Sequence, residues 1–346
     1  MTSMKKELVS AIVLNWNNKE VIFPCLDSLL RQTYEQHEII LVDNGSQDGS
    51  LEAIKERYAK RLRIVENGKN LGFDEGVNIG IRASDGEFIA LLNSDAVAER
   101  DWIEHLVRGI QGAGQIGMCA SKIYLADQEG VLDNTGEILY RDALGRGRGR
   151  LEKDRGQYDV DGRVLCPSGC AGFYRRQMLE EMGLFDKHFF AYAEDIDVGL
   201  RGRLLGYECV YISQAVVFHK LSISSGLVSD LKAFYVERNR MWVTIKCFPF
   251  RYLLLCPFYT LIRYGYHLYG LFRREGPASK YIEQLSFLRL VFVIIKVYLS
   301  TLWFLPYLLS ERRRIRKNSK VTSPTFGLWL REFGMSARDA ALSELS

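Results

Sequence analysis

The first 95 residues alternate between short apolar runs of β type and amphipathic stretches, and that alternation leaves few folds open. Residues 8–14 (LVSAIVL) form a β-rich run closed by Asn15-Trp16-Asn17-Asn18. Apolar residues at helical spacing follow over 20–32 (Val21, Leu26, Leu29, Leu30). Residues 38–42 (EIILV) predict a second strand. It runs into the polar loop 43–50 and a helix from 51 to about 60. A third strand is predicted at 62–65 and a Gly-punctuated loop entering a helix over 70–81. A fourth strand at 88–92 ends in Asn93-Ser94-Asp95. Such alternation builds an α/β fold, a mainly parallel sheet flanked by helices. These sheets bind ligands at the carboxyl ends of their strands, and here those ends are polar and rich in Asp.

No Gly-X-Gly-X-X-Gly follows the first strand and no Gly-X-X-X-X-Gly-Lys-Ser/Thr occurs, which excludes an NAD-type Rossmann site and a P-loop. Carboxylates in the loops suit instead a nucleotide held by base and ribose, its diphosphate charge offset by a metal. Further on, a helix is expected at 101–110 and a strand at 116–123. The Gly- and Arg-rich stretch 131–162, with RDALGRGRGR over 141–150, reads as a mobile, solvated loop or a lid over a phosphate-bearing substrate. Short strands are expected at 209–212 and 215–218, the second delivering His219. Between them and the lid, Glu194, Asp195 and Asp197 crowd into four positions. A buried cluster of that kind is costly unless its carboxylates bind something, so Asp195 is expected to act as a catalytic base.

The seven cysteines are scattered and odd in number, as in a chain of reduced thiols. The apolar run after Lys5 and Lys6 is too short for a signal peptide. The net charge of +4 is uneven: residues 246–320 carry about 14 Lys and Arg against about 3 acids, leaving roughly −7 elsewhere. Within that segment 252–272 and 290–309 are apolar and aromatic, each long enough to span a bilayer. Each also holds an interior cation, Arg263 or Lys296, and a proline, Pro257 or Pro306. Helices lying in the membrane interface or re-entering it accommodate both features. Arg312, Arg313, Arg314, Arg316 and Lys317 would then meet anionic lipid. Three regions are expected: a catalytic domain over 1–245, a basic membrane-associated helical region over 246–320 and a tail over 321–346. Without a stacking motif or matching fold, the basic run does not indicate nucleic acid.

In order and spacing, several motifs resemble glycosyltransferase family 2, the inverting GT-A fold, in its rhamnosyltransferase-like and galactofuranosyltransferase-like branch. They are IVLNWN at 12–17, VDNGSQDGS at 42–50, NLGF at 70–73 with NIG at 78–80, LLNSD at 91–95, GCAG at 169–172, EDID at 194–197 with Arg201, and His219. The resemblance covers about two thirds of the chain. It implies a nucleotide-sugar-binding fold with donor contacts at Asn15, Asp43, Asn70, Gly72, Asn93 and Asp95, Asp43 reading the base. It implies Mn²⁺ or Mg²⁺ on Asp95 and His219, and Asp195 as base. Glu194, Asp197, Arg201 and Gly169 would support the base or the acceptor. Asn93 stands where the family often has a first Asp, one carboxylate fewer for the metal. Asp74 and Glu75 stand where small residues are usual. The Gln-X-X-Arg-Trp motif of processive synthases is missing, with VERNR at 236–240 near its place. The implied reaction is transfer from a dTDP- or UDP-sugar, rhamnose first, to a lipid-linked glycan at the cytoplasmic face of the plasma membrane. Two alternatives stand beside it: a sugar-nucleotide synthesising enzyme, which would need a Gly-rich basic loop after the first strand, and a catalytically inactive scaffold of the same fold.

Overall fold

The computed structural model describes residues 5–58, 60–111, 114–220, 229–276 and 287–343. The strands of the main sheet lie side by side in the order 162–164, 208–219, 116–125, 172–175, 86–91, 5–15, 37–43 and 63–66, with 96–98 paired to 208–219 and 132–134 to 116–125. Its first half is as the alternation predicts. β1 (Lys5–Asn15), β2 (His37–Asp43), β3 (Arg63–Glu66) and β4 (Gly86–Leu91) are parallel, joined by α1 (Ile22–Leu29), α2 (Ser50–Tyr58) and α3 (Phe73–Arg82). The register sets Asn15 beside Asp43, so the polar strand ends share one edge.

The second half departs from a mainly parallel sheet. β5 (Ala96–Ala98) and α4 (Trp102–Gln111) lead to β6 (Ile116–Leu125), and β11 (Gly172–Arg175) inserts antiparallel between β4 and β6. The two strands expected at 209–212 and 215–218 are one, β12 (Glu208–His219), parallel to β6 with a register shift between Ile212 and Val216. The polar pair Ser213 and Gln214 reads as a break in sequence; in the fold it is a bulge, with the Ser213 N–H bonded to Asp161 at 2.7 Å. β12 also pairs antiparallel with β5, setting His219 opposite Ala96.

Residues 151–161 are irregular and mostly exposed, as a solvated loop would be, but the rest of 131–162 is built into the fold. It forms β7 (Leu132–Asn134), β8 (Glu137–Leu139), β9 (Gly145–Gly147) and β10 (Gly162–Val164), with β8 and β9 a hairpin. Its tip residue Asp142 is fully buried, as are Leu139, Tyr140 and Ala143. Its arginines find partners in the fold: Arg150 pairs with Asp133, and Arg148 lies 5.0 Å from the Tyr158 and Tyr211 ring centroids. A charge pattern that reads as solvation is here a set of internal ion pairs and cation–π contacts.

α5 (Arg176–Met182) and α6 (Glu194–Leu204) cover one face of the sheet with α3 and α7 (Asp230–Cys247), while α1, α2 and α4 cover the other, each face with its own apolar core. The core beneath α6 and α7 continues through Cys256, Leu308, Ile315, Phe326 and Trp329. The expected boundary at 245/246 therefore falls inside α7 and inside one hydrophobic cluster. α8 (Phe250–Arg273) turns a charged face inward: Arg263 is 2% exposed and bonds Asp142 at 2.9 Å and Glu237 at 2.9 Å. That face accounts for the cation inside an apolar run. Phe258, Leu261, Leu268 and Phe272 on its other side are exposed.

α9 (Phe287–Asn318) buries Val293, Val297, Leu308 and Ile315 and exposes Phe292, Leu299, Leu302 and Trp303. Among the described residues it is the one helix long and apolar enough to cross a membrane. Its basic end is corrected by the structure. Arg312 donates to the Ile245 and Phe248 carbonyls, Arg316 to that of Cys247 and Arg314 to that of Met182. These arginines satisfy orphan carbonyls at helix ends. Arg313 and Lys317 alone of the five are exposed. Two short helices, α10 (Ser323–Glu332) and α11 (Ala337–Leu342), follow, capped by Thr322 and Ser336.

Candidate active site

Two strand ends bring the expected metal pair together. Asp95 closes the loop after β4, and β5–β12 pairing carries His219 back to it: His219 Nε2 lies 3.3 Å from Asp95 Oδ1. On the other side His219 Nδ1 lies 2.7 Å from Asp133, which Arg150 also holds. Burial would depress the imidazole; Cys170 and the hydrogen bonds to Asp133 and Asp95 outweigh it and raise its pKa well above the ordinary value. Asp133 thus fixes one ring nitrogen and aims the other at Asp95, the arrangement that orients a metal-ligating histidine. Sequence reasoning missed Asp133 because it stood in a stretch read as a loop.

Among the described residues no group of three or more His, Cys, Asp and Glu is placed to hold a metal. One carboxylate oxygen and one imidazole nitrogen nonetheless suit Mn²⁺ or Mg²⁺, cations that leave several positions to phosphate oxygens and water. Asn93 is held through its backbone: its N–H donates to the Cys170 carbonyl at 2.8 Å and its carbonyl accepts from Ala96.

The base side is built on α6. Ala193, left-handed at φ 62°, turns the chain so that Glu194 and Asp195 open the helix. Asp195 Oδ1 accepts from Ile196 N–H at 2.7 Å, and the Gly169 N–H also supports the carboxylate. Burial still raises its pKa from the ordinary carboxylate range. Gly169 allows the approach, since a Cβ there would stand 2.8 Å from Glu194 Oε1. Glu194 is pushed up to about 8 by burial and then by the charge of Asp195. Glu137, also missed in sequence, is 6% exposed on β8 and accepts from Asn134 at 2.6 Å. Burial and then Asp195 raise it well above the carboxylate range. Gly169 packs on Glu194, the neighbour of the base, and the Cys170 carbonyl accepts from Asn93 in the loop that carries Asp95, so one short turn joins the two halves of the site.

Asp197 and Arg201 lie behind this surface. They bond each other at 2.6 Å, and Lys246, fully buried, bridges Asp197 (2.9 Å) and Asp186 (2.6 Å). They support α6 through these ion pairs. Arg238 and Arg240 are buried too, Arg238 on the His188 and Phe189 carbonyls and Arg240 on Glu237 and Asp142.

The expected nucleotide contacts form a connected loop system. Asp43 is 1% exposed and accepts from Asn15 Nδ2 (2.9 Å) and from the N–H groups of Gly45 and Ser46 (3.0 Å each). Its carboxylate is largely committed to shaping the 43–50 turn. Asn15 also bonds Ser46 and Ser50, and its Oδ1 is buried without a partner. Asn70 Oδ1 accepts from Gly72 N–H at 2.8 Å. Gly72, at φ 85°, packs so closely on Phe190 that a Cβ would come within 2.6 Å.

Residues 10–183 match the family described as Glycosyl transferase family 2. A putative glycosyltransferase of Bacillus subtilis, EpsH, is 34% identical over 142 residues, covering 40% of this chain and 41% of that protein. A poly-beta-1,6-N-acetyl-D-glucosamine synthase of Staphylococcus epidermidis is 24% identical over 211 residues, 61% of this chain and 49% of that protein. The matched stretches span less than half of these relatives' own lengths. Among solved structures, GalNAc-T7 with UDP, GalNAc and Mn²⁺ aligns with a TM-score of 0.59 at 16% identity, over 75% of this chain and 50% of that one. The mannosyltransferase PcManGT of Pyrobaculum calidifontis, with GDP-Man and Mn²⁺, aligns at 0.50 and 17% identity, over 94% and 79%. These likenesses show the fold. With half of the chain matched to the family and its motif residues gathered at one sheet edge, the chain belongs to glycosyl transferase family 2.

Proposed function

We propose that this chain is an inverting, metal-dependent transferase that moves a sugar from a nucleotide sugar to a hydroxyl of a saccharide acceptor. The observation that carries this reading is the turn at Gly169–Cys170, which packs on Glu194 beside Asp195 and accepts from Asn93 in the loop that brings Asp95 to His219. Asp195 takes the proton of the acceptor hydroxyl, and burial brings its carboxyl closer to the strength that such a base needs. Asp95 and His219 would hold Mn²⁺ or Mg²⁺, which when bound supplies a Lewis acid for the diphosphate. Asn15, Asp43, Asn70 and Gly72 shape the nucleotide cleft, and the buried Oδ1 of Asn15 is the acceptor left open there. A sugar-nucleotide synthesising enzyme is disfavoured because the loop after β1 carries no Gly-rich basic run. An inactive scaffold is disfavoured because both halves of the site are intact.

For the donor, dTDP-rhamnose comes first, and a UDP-hexose or UDP-galactofuranose is the second reading, favoured by the UDP in one solved relative. The acceptor is a lipid-linked or cell-surface saccharide met at the cytoplasmic face of the plasma membrane. That assignment is supported by the exposed apolar faces of α8 and α9. The deciding experiment is Asp195→Asn, with transfer and nucleotide affinity measured in parallel. Transfer should fall by about 10²–10⁴-fold, the usual worth of a general base, with nucleotide affinity unchanged. Equal loss of both would remove Asp195 from the role.

A further inference from the structure

The 70–80 motif departs from its family pattern at Asp74 and Glu75, and the fold sends the two opposite ways. Glu75 accepts from Arg82 at 2.7 Å and Asn78 at 3.3 Å. Asp74, in the first turn of α3, points inward: it is 1% exposed, and neither carboxylate oxygen has a hydrogen-bond partner. The strongest charge acting on it is Glu194, the first residue of α6, whose Oε2 is also buried and unpartnered. Three carboxylate oxygens therefore lack a donor where α3 and α6 begin, and the carboxylates of Asp186 and Asp197 act on Asp74 as well. The cations nearby are bonded elsewhere: Lys246 to Asp186 and Asp197, Arg201 to Asp197, and Arg238, on which the charge of Asp74 acts, to the His188 and Phe189 carbonyls. The arrangement is held in place, since Phe73 N–H donates to the Phe190 carbonyl at 2.6 Å and clamps the start of α3 to the loop that delivers Glu194.

A buried carboxyl group with no partner destabilises a fold, and sites that keep one generally return the cost on binding. Hydroxyl groups are the matching donors: they satisfy carboxyl oxygens without demanding a counter-charge. The place identifies whose hydroxyls. The sugar in transit must lie between the pair Asp95–His219 and the base Asp195, and Glu194 borders that interval through Gly169. We propose that Asp74, with Glu194, accepts hydrogen bonds from ring hydroxyls of the transferred sugar and determines which sugar the enzyme takes. This rests on the transferase reading above. An epimer that moves one hydroxyl leaves a buried acceptor empty again, and sites built on such bonds discriminate strongly.

The test compares the full chain with Asp74→Asn by calorimetry in Mn²⁺, using UDP and dTDP as sugar-free probes and UDP-glucose, UDP-galactose and dTDP-rhamnose as donors. Affinity for the bare nucleotide should agree within about twofold, while the ratio of nucleotide-sugar to nucleotide affinity falls by about tenfold or more in the variant. The melting temperature of D74N should hold or rise, because the amide brings donors to a place where unpartnered acceptors collect. Unchanged ratios, or equal loss of nucleotide and nucleotide sugar, would overturn the assignment and leave Asp74 as a loop-shaping residue. Should D74N not fold, the wild-type chain answers with 2-, 3- and 4-deoxy donors: one deletion should cost about tenfold or more, and no cost at any position overturns the proposal. A wild-type chain that binds none of these nucleotides defeats the transferase reading itself, a result distinct from an unchanged ratio.

Discussion

A histidine held by carboxylates on both sides has one nitrogen to orient it and one to offer. His219 uses Nδ1 on Asp133 and turns Nε2 to Asp95. Replacing Asp133 by Asn keeps the shape and removes the charge, and Mn²⁺ affinity should fall about 10–100-fold, the usual cost of losing such a partner. The imidazole must also shed its proton to bind a metal. Because its pKa lies above the ordinary value, Mn²⁺ affinity should climb with pH through and beyond neutrality, and His219→Ala should abolish that slope. Metal titration by calorimetry at several pH values checks both; a flat profile in the wild type would remove His219 from the metal site. At this scale Asn15, Asp43 and His219 were legible because each closes a strand in a familiar pattern. Asp133 and Glu137 were not, since an acid in a Gly- and Arg-rich stretch looks solvated until its partners are known.

The elements most poorly read in sequence are those that fasten the site. The β8–β9 hairpin places Glu137 near Asp195, and its tip is bolted to α7 and α8. There Asp142 Oδ2 receives Thr260 (3.1 Å), Arg263 (2.9 Å) and Arg240 (3.2 Å). Asp142→Ala strands part of two buried guanidinium charges and should cost about 3–5 kcal/mol in a urea titration. A loss under about 1 kcal/mol would mean that the hairpin holds by its apolar contacts alone. Glycine and arginine spacing carries no period of strand or helix, so local pattern could not announce the hairpin. The arginines of α9 teach the same lesson. A run of like charges predicts a solvated, lipid-facing patch, yet three of its members close the carbonyl ends of α7 and α5.

For the molecule as a whole, the acidic wall of the site should set how stability follows pH. Glu194 holds its proton up to about 8 in the folded chain, against an ordinary value of 4.5. Between those values the folded state binds more protons than the unfolded one, so this group's contribution to stability declines as pH rises through the window. Glu194→Gln removes the term, and its melting temperature should gain on the wild type steadily from pH 5 to about 8. A difference that does not change with pH would show that the carboxyl titrates normally. The exposed apolar faces of α8 and α9 belong to the same scale. Trp303→Glu with Leu261→Glu should abolish flotation with anionic vesicles, whereas Arg313→Ala with Lys317→Ala should weaken it by a few fold at most. The reverse order would return the anchoring to the basic run. By itself the sequence determined the α/β alternation, the polar strand ends and the acidic cluster, because these depend on local periodicity and on residue types that are costly anywhere but at a site. Only the tertiary structure decided which carboxylates are buried, which arginines are internal, and that β11 runs antiparallel through the sheet. Those outcomes depend on pairing between residues far apart in the chain, where each charge is either matched or left over, and Asp74 at the start of α3 is left with no donor.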